Sequence, residues 1–163
     1  MKRFDITLEF LKHHIPEGTH ILDLGEVNHL SMLMRLQGYN VVNTTTDLDI
    51  DYDIVNGFKV ITAFEIFEHM FAPFNVLNAA HGKLVASVPL NLWFTQTYWN
   101  DDDPKDCHYH EFEMRQFNHL LKRTGWELKD WTTLTAPCKG FGFRPMLRHI
   151  YPKFYIVYAE KDS

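Results

Sequence analysis

The sequence predicts an α/β fold: a three-layer sandwich in which helices cover both faces of a mostly parallel sheet that ends in an antiparallel strand. Two observations favour this fold class. Short apolar runs alternate with amphipathic helical segments as far as residue 90, a pattern typical of parallel sheets. Two strand-like runs then close the chain, and they favour an antiparallel pair. With 163 residues, the chain is expected to form a single domain, residues 1–163.

The helices are predicted from apolar residues at helical spacing and from residues that begin or end helices. Asp5 and Pro73 stand where a first turn begins, whereas Gly38 and Gly125 stand where a helix ends. The predicted helices span residues 5–15, 30–36, 73–81 and 111–124.

The strands are predicted from apolar and β-branched runs bounded by turn residues. They span residues 19–25, 39–45, 58–64, 82–90, 126–134 and 153–161. Residues 46–57 are polar and Asp-rich and are interpreted as a connection or a weak strand. Residues 91–110 are interpreted as a long aromatic, acidic loop, and a Gly/Pro loop separates the last two strands. Ligands of such sheets bind at the carboxyl ends of the central strands, so functional residues are expected there.

Charge and cysteine content narrow the class of protein. The net charge is −5, and acidic residues are concentrated at 47–53 and 100–106, which argues against a broad nucleic-acid surface. No apolar run is long enough to span a membrane, and the N-terminal residues lack the apolar run of a signal peptide. Cys107 and Cys138 form no CxxC pair and fit a reducing compartment. We therefore expect a cytoplasmic protein without membrane or nucleic-acid partners.

Four segments resemble, in the same order, motifs of class I S-adenosylmethionine-dependent methyltransferases, a family with a Rossmann-like fold. They are ILDLG (21–25), FKVITAFEIFEHMFAPFNVL (58–77), GKLVASVP (82–89) and CHYHEFEMRQFNHLLKRTGWEL (107–128). The E-x-x-E-H pattern in the second segment is similar to that of ubiquinone-pathway O-methyltransferases. The resemblance covers residues 19–161 and implies a methyltransferase that uses S-adenosyl-L-methionine.

The resemblance also implies which residues surround the cofactor. Asp47, after the second predicted strand, would accept the ribose hydroxyls, with Asp49 as the alternative. The implied cofactor-binding residues are Asp23, Leu24, Gly25, Glu26, Asp47, Phe64 and Glu65. Because residues 46–57 form a short connection, the part of the pocket that contacts adenine is expected to be reduced.

The loop after ILDLG departs from the glycine-rich pattern of the family. Gly25 is present, but Val27 and His29 stand where further glycines are usual. Glycines in such a loop allow positive φ and let the backbone approach a ligand. We therefore expect Val27 and His29 to crowd the space for the methionine part of the cofactor. This favours, as an alternative, a non-catalytic methyltransferase-like domain that serves binding or assembly.

Glu65, Glu68 and His69 stand at i, i+3 and i+4, so they are predicted to lie on one side of a helical turn. Two carboxylates and an imidazole suit a divalent cation or a general base. The pattern is similar to that of small-RNA 3′-terminal 2′-O-methyltransferases, and this resemblance implies a Mg²⁺ site of Glu65, Glu68, His69 and His110. The simpler alternative is that Glu68 and His69 brace the loop.

His69, His108 and His110 are the candidate catalytic residues. A hydroxyl acceptor must lose its proton as the methyl group arrives, and a histidine can take that proton. Methyl transfer otherwise depends on holding donor and acceptor in line.

Three hypotheses of function follow. The first is a methyltransferase that acts on an oxygen or nitrogen of a small-molecule substrate. The second is the non-catalytic binding or assembly domain. The third is a Mg²⁺-assisted RNA 2′-O-methyltransferase, against which the acidic charge counts. The sequence leaves a homodimer open.

Overall fold

The computed structural model describes residues 3–103, 106–136 and 143–162. The strands are β1 (His20–Asp23), β2 (Asn40–Asn43), β3 (Val60–Phe64), β4 (Gly82–Pro89), β5 (Glu127–Thr135) and β6 (Pro152–Lys161). The α-helices are α1 (Arg3–His14), α2 (His29–Leu36), α3 (Pro73–Ala79), α4 (Met114–Arg123) and α5 (Phe143–Ile150).

The strands form one six-stranded sheet in the order β2-β1-β3-β4-β6-β5. β1 pairs in parallel with β2 and β3, and β3 pairs in parallel with β4. β6 lies antiparallel between β4 and β5. The sheet is thus mostly parallel with an antiparallel C-terminal end, and the predicted fold class is confirmed. From β1 the chain runs outward to β2 and then crosses back to β3, so the carboxyl ends of β1 and β3 flank the point where the strand order reverses.

Helices cover both faces of this sheet and make it a three-layer sandwich. On one face, Leu11 of α1 and Met34 of α2 belong to a buried apolar cluster that includes Ile156 of β6. On the other face, a second cluster joins α3 and α4 to the sheet through residues such as Leu77 and Phe117. Burying each such side chain stabilises the fold by about 1.5–3 kcal/mol. None of the helices in the described part of the chain is long and apolar enough to cross a membrane.

The connection between β2 and β3 is as short as the sequence predicts. Residues 44–59, all of them described, contain one 3-10 turn at Asp53–Gly57 and neither a strand nor an α-helix. Val55 of this turn is fully buried in the second apolar cluster and fixes the turn against the sheet. The chain that follows the carboxyl end of β2 is therefore largely irregular.

Helix α5 and the start of α4 differ from the predictions by more than a turn end. The sequence pattern predicts a loop before the last strand, where the structure has α5; the adjacent glycines and Pro145 in its first turn conceal it. The helix predicted to begin at residue 111 begins at Met114, because Glu113 caps it in a reciprocal pair with Gln116.

The start of β4 supplies a test of the packing. Gly82 has φ +89°, and a Cβ atom on it would lie 2.3 Å from the backbone oxygen of Lys59. Lys83 N donates to that same oxygen at 2.8 Å, so the two strands cannot separate without losing a hydrogen bond. We expect Gly82→Ala to lower the free energy of unfolding by about 2–4 kcal/mol, measured by urea denaturation.

Gly57→Ala is the matched control, because a Cβ atom at Gly57 would meet nothing within 4 Å and no positive φ is required there. It should change the free energy of unfolding by less than about 1 kcal/mol. Equal losses in the two variants would contradict the steric account of Gly82.

Candidate functional site

A cavity of about 780 Å³ lies where β1, β2 and β3 end. The loop after each strand contributes to its wall, and the long loop before α4 closes one side. The lining residues are Gly25, Glu26, Thr44, Thr45, Thr46, Asp47, Leu48, Asp49, Glu65, Ile66, His69, Met70, Phe71, Asp103, Asp106 and Tyr109. The position matches the ligand site expected from a sheet of this topology.

Gly25, in the loop after β1, lies against the loops after β2 and β3. Its φ is +98°, and a Cβ atom would lie 2.7 Å from Cδ1 of Ile66. Its N–H donates to Oγ1 of Thr44 at 2.7 Å. The positive φ favours glycine at position 25, and a side chain there would force Ile66 in the loop after β3 to move.

Val27 and His29 lie outside the cavity, contrary to the crowding that the sequence predicts. Val27 is 60% exposed, and Glu65 is the one non-glycine residue with positive φ in the described chain. His29 begins α2 and packs its ring against Phe4, with the ring centroids 5.6 Å apart. The loop has turned these side chains outward, so they leave the space next to Gly25 open.

The N-terminus of α2 is capped by its own chain. Oδ1 of Asn28 accepts the Ser31 N–H at 3.0 Å, and the Asn28 N–H donates to Oγ of Ser31 at 3.0 Å. Two of the backbone N–H groups that a carboxylate could use, those of Asn28 and Ser31, are therefore already occupied.

Asp23 braces the strand ends and does not line the cavity. It is 2% exposed and accepts hydrogen bonds from Oγ1 of Thr62 at 2.6 Å and Nδ2 of Asn43 at 3.0 Å. Burial raises the pKa of the Asp23 carboxyl to about 6, and these two hydrogen bonds oppose the shift. Because Thr62 belongs to β3 and Asn43 to β2, this carboxyl ties three neighbouring strands together.

The seven residues implied for the cofactor thus fall into two groups. Gly25, Glu26, Asp47 and Glu65 line the cavity. Asp23, Leu24 and Phe64 do not: Leu24 is buried in the apolar cluster on one face of the sheet, and Phe64 packs against the cluster on the other.

Glu65 has an unusual backbone conformation, with φ +57°. Its N–H donates to the Ser87 oxygen at 2.9 Å, and its carboxylate pairs with Nη1 of Arg3 at 2.8 Å. Burial raises the pKa of Glu65, while the Arg3 guanidinium opposes that shift. A non-glycine residue in this region costs about 1–3 kcal/mol, which the Ser87 and Arg3 contacts offset.

The predicted arrangement of Glu65, Glu68 and His69 on one side of a helical turn is wrong. The turn is a 3-10 helix that begins at Phe67, so Glu65 stands before it in a left-handed conformation. Glu68 points into the interior and is 0% exposed, whereas His69 lines the cavity.

Glu68 comes close to two histidines. One ligand atom each from Glu68, His69 and His108 lie within 4.8 Å of one another. Neither carboxyl oxygen of Glu68 has a hydrogen-bond partner in the described chain, and burial raises the pKa of Glu68 well above its usual value. Nδ1 of His69 donates to the Cys107 oxygen at 3.0 Å, so Nε2 of His69 keeps its lone pair. Burial, and then the neighbouring His69, lower the pKa of His108 to about 4.

His110 lies apart from this cluster. Its Nε2 faces the Phe71 oxygen at 3.3 Å, and its ring stacks on Phe112 with centroids 5.5 Å apart. Of the three histidines predicted to be catalytic, only His69 lines the cavity, whereas His108 and His110 do not.

Several contacts made by the lining residues have no marker in the sequence. Oδ2 and Oδ1 of Asp49 accept the N–H groups of Phe71 and Ala72 at 2.9 and 2.8 Å, which positions the segment after β3. The ring of Phe71 stacks on that of Tyr109, with centroids 4.0 Å apart. These contacts join segments far apart in the chain, and only the alternation of aspartates at 47 and 49 hints at one of them.

The chain has the fold of class I S-adenosylmethionine-dependent methyltransferases. No protein-family model and no curated protein matches the sequence.

Solved structures carry the comparison. A Listeria monocytogenes protein assigned to the S-adenosylmethionine-dependent methyltransferases has a TM-score of 0.69 and 10% identity, with 99% of each chain covered. The Burkholderia thailandensis 1,6-didemethyltoxoflavin-N1-methyltransferase, solved with its substrate and S-adenosylhomocysteine, has a TM-score of 0.68 and 14% identity, over 98% of this chain and 78% of that chain. A Mesorhizobium loti S-adenosylmethionine-dependent methyltransferase has a TM-score of 0.66 and 13% identity, over 94% of this chain and 96% of that chain.

The buried Asp23 generates a pH-dependence prediction. Its folded-state pKa of about 6 exceeds the ordinary value of 3.8, so the folded state binds more protons between these pH values. The contribution of Asp23 to stability is therefore fully present below pH 3.8 and is lost as pH rises through 6. Asp23→Asn does not titrate. Relative to wild type, we expect its free energy of unfolding to improve by about 2 kcal/mol between pH 4 and pH 7.

Urea denaturation of both proteins across that pH range measures the difference. Parallel profiles would contradict the buried carboxyl, because a solvated Asp23 would titrate alike in the folded and unfolded states.

Proposed function

We propose that the protein is an S-adenosylmethionine-dependent methyltransferase that acts on a small molecule. The observation that carries the proposal is the cavity of about 780 Å³ at the carboxyl ends of β1–β3, with Gly25 and Asp47 in its wall. The fold supports it, and so does the 1,6-didemethyltoxoflavin-N1-methyltransferase, a solved structure of similar fold that contains S-adenosylhomocysteine. A volume of this size fits a nucleoside-sized ligand with space for an acceptor.

The chain's own residues fit the cofactor at one end of the cavity. Gly25 leaves the backbone open to a ligand, and Asp47 offers an exposed carboxylate for the ribose hydroxyls. The hydroxyl-bearing residues Thr44–Thr46 line the wall between these two positions. When bound, S-adenosylmethionine supplies a methyl group activated by a sulfonium centre.

His69 is placed to handle the proton of an acceptor. It lines the cavity, and its Nδ1–H bond to the Cys107 oxygen leaves the Nε2 lone pair available. The backbone N–H groups of Tyr109 and His110 both donate to the backbone oxygen of Glu68, at 2.7 and 3.2 Å. These bonds hold the loop before α4 beside His69. A general base within reach of the acceptor raises the rate, and the fixed loop supplies the positioning.

The first test is calorimetry with S-adenosylmethionine and S-adenosylhomocysteine. We expect binding to wild type and about a tenfold weaker affinity in Asp47→Asn, because the ribose hydroxyls lose a charged acceptor. Asp51→Asn is the matched control: the same substitution, also exposed, at a residue that does not line the cavity.

No binding of either ligand at millimolar concentration would overturn the enzyme proposal and support the non-catalytic binding or assembly domain. An equal effect of the two substitutions would instead remove Asp47 from the cofactor site and leave the enzyme proposal standing.

A divalent cation is a second proposal, and it is an alternative to His69 as the base because an ion would use the same Nε2 lone pair. The buried carboxyl of Glu68, without a partner in the described chain, favours it. A buried polar group without a hydrogen bond is rare and calls for a partner such as an ion. Glu68, His69 and His108 fit such an ion, whereas Glu65 pairs with Arg3 and His110 faces the Phe71 oxygen. Two imidazoles and one carboxylate suit Zn²⁺ or Mn²⁺ better than Mg²⁺, which prefers oxygen ligands.

Thermal melting with ZnCl₂, MnCl₂ or MgCl₂ tests the cation site. We expect Zn²⁺ or Mn²⁺ to raise the melting temperature, since an ion at about 100 times its Kd stabilises the folded state by about 2.7 kcal/mol. The rise should vanish in His108→Ala and Glu68→Gln and persist in His110→Ala. Loss of the rise in His110→Ala, or no rise with any of the three ions, would contradict this ligand set.

A further inference from the structure

The wall of the cavity is strongly one-sided in charge. The chain has 21 acidic and 16 basic residues. Six of the acidic residues line the cavity: Glu26, Asp47, Asp49, Glu65, Asp103 and Asp106. No Lys or Arg occurs among the described lining residues. The cavity thus concentrates negative charge well beyond the modest excess of the whole chain.

The hydrogen bonds of Asp49 and Asp106 leave their negative charge in place. Glu65, by contrast, pairs with the Arg3 guanidinium. Asp49 accepts backbone N–H groups. Asp106 accepts from the Tyr98 hydroxyl at 2.7 Å and from Nδ2 of Asn100 at 3.1 Å. Neutral donors fix a carboxylate in position without cancelling its charge, so Asp49 and Asp106 keep theirs.

An aromatic surface adjoins the carboxylates. Phe71 and Tyr109 line the cavity with stacked rings, 4.0 Å between centroids and 29° between planes. Phe71 is 68% exposed, and the Trp99 ring meets Tyr109 edge-on with centroids 6.0 Å apart. The face of an exposed aromatic ring attracts an ammonium group, and this attraction does not depend on the nearby carboxylates.

The cofactor accounts for only part of this environment. S-adenosylmethionine carries a sulfonium, an ammonium and a carboxylate, hence one net positive charge. Phe71, Asp106 and Tyr109 belong to the segments after β3 and before α4, whereas the residues that fit the cofactor follow β1 and β2. The carboxylate of Asp106 and the rings of Phe71 and Tyr109 are therefore available to the acceptor.

Resting on the proposed function, we infer that the methyl acceptor is a positively charged amine, recognised by Asp106 and by the rings of Phe71 and Tyr109. Anionic acceptors such as phosphate esters are excluded by repulsion from the same wall. The bound ammonium group of the acceptor first gives one proton to His69 or water, which frees the nitrogen lone pair. That lone pair forms the new N–C bond, the S–C bond of the donor breaks with its electron pair left on sulfur, and the positive charge passes to the methylated nitrogen.

The test compares three probes of nearly equal shape and different charge. Benzylammonium, benzyl alcohol and benzoate are titrated by calorimetry into the protein, with and without saturating S-adenosylhomocysteine. We expect the ammonium probe to bind at least about tenfold more tightly than benzyl alcohol, a difference of about 1.4 kcal/mol, and benzoate not to bind. Raising the salt concentration should weaken the ammonium probe selectively.

Two substitutions, each with a matched control, locate the effect. Asp106→Asn removes one charge and keeps an acceptor for Tyr98 and Asn100; Asp101→Asn makes the same change at an exposed residue of the same loop outside the wall. Phe71→Leu removes an aromatic ring from the wall, and Phe74→Leu removes one outside it. We expect about a tenfold weaker affinity for the ammonium probe in Asp106→Asn and Phe71→Leu and no change in the two controls.

The outcomes separate the two proposals. Probe discrimination without S-adenosylhomocysteine binding would support the cation-selective cavity and overturn methyl transfer. S-adenosylhomocysteine binding with equal affinities for the three probes would overturn the cationic acceptor and leave methyl transfer standing. Should Asp106→Asn fail to fold, as judged by near-ultraviolet circular dichroism, Phe71→Leu and the salt dependence still decide.

Discussion

The site depends on the hydrogen bonds that the carboxyl group of Asp23 accepts. It lies at the end of β1 and accepts hydrogen bonds from Asn43 of β2 and Thr62 of β3. Parallel strands end in loops with no hairpin to join them, so a shared acceptor fixes the distances between those loops. Asn43 also donates to the Gly25 oxygen at 3.1 Å, which carries the same bonding into the cavity wall. Burying a carboxyl group costs free energy unless the group is hydrogen-bonded, so the site depends on these hydrogen bonds to Asp23.

Two parts of the cavity wall differ in chemistry. The loops after β1 and β2 offer backbone, hydroxyls and Asp47. The segments after β3 and before α4 offer carboxylates, rings and one histidine with a free nitrogen. The division suits a reaction in which one ligand is held by its sugar and another is recognised by its charge. Fold alone does not define the chemistry, so the proposals rest on these side chains.

The sequence predicts the fold well because buried strands and amphipathic helices have distinct periodicities. Gly25, Glu26, Asp47 and Glu65 reach the cavity wall because residues that directly follow parallel strands gather at one edge. The assignment of Asp23 to the cofactor is not supported by the structure, since sequence cannot tell whether a carboxyl faces a ligand or a neighbouring strand. The left-handed conformation of Glu65 has no local signal either, because a tertiary contact imposes it.

The bonds between the segment after β3 and the loop before α4 have a mechanical consequence. The backbone oxygen of Glu68 accepts the backbone N–H groups of Tyr109 and His110, and the backbone oxygen of Cys107 accepts Nδ1–H of His69. Phe71 and Tyr109 add a stacked pair farther along the same two segments. The two segments therefore behave as one body, and the cavity widens only if both move together or if three hydrogen bonds break. Entry of a bulky molecule then requires a displacement of both segments and not of a single loop.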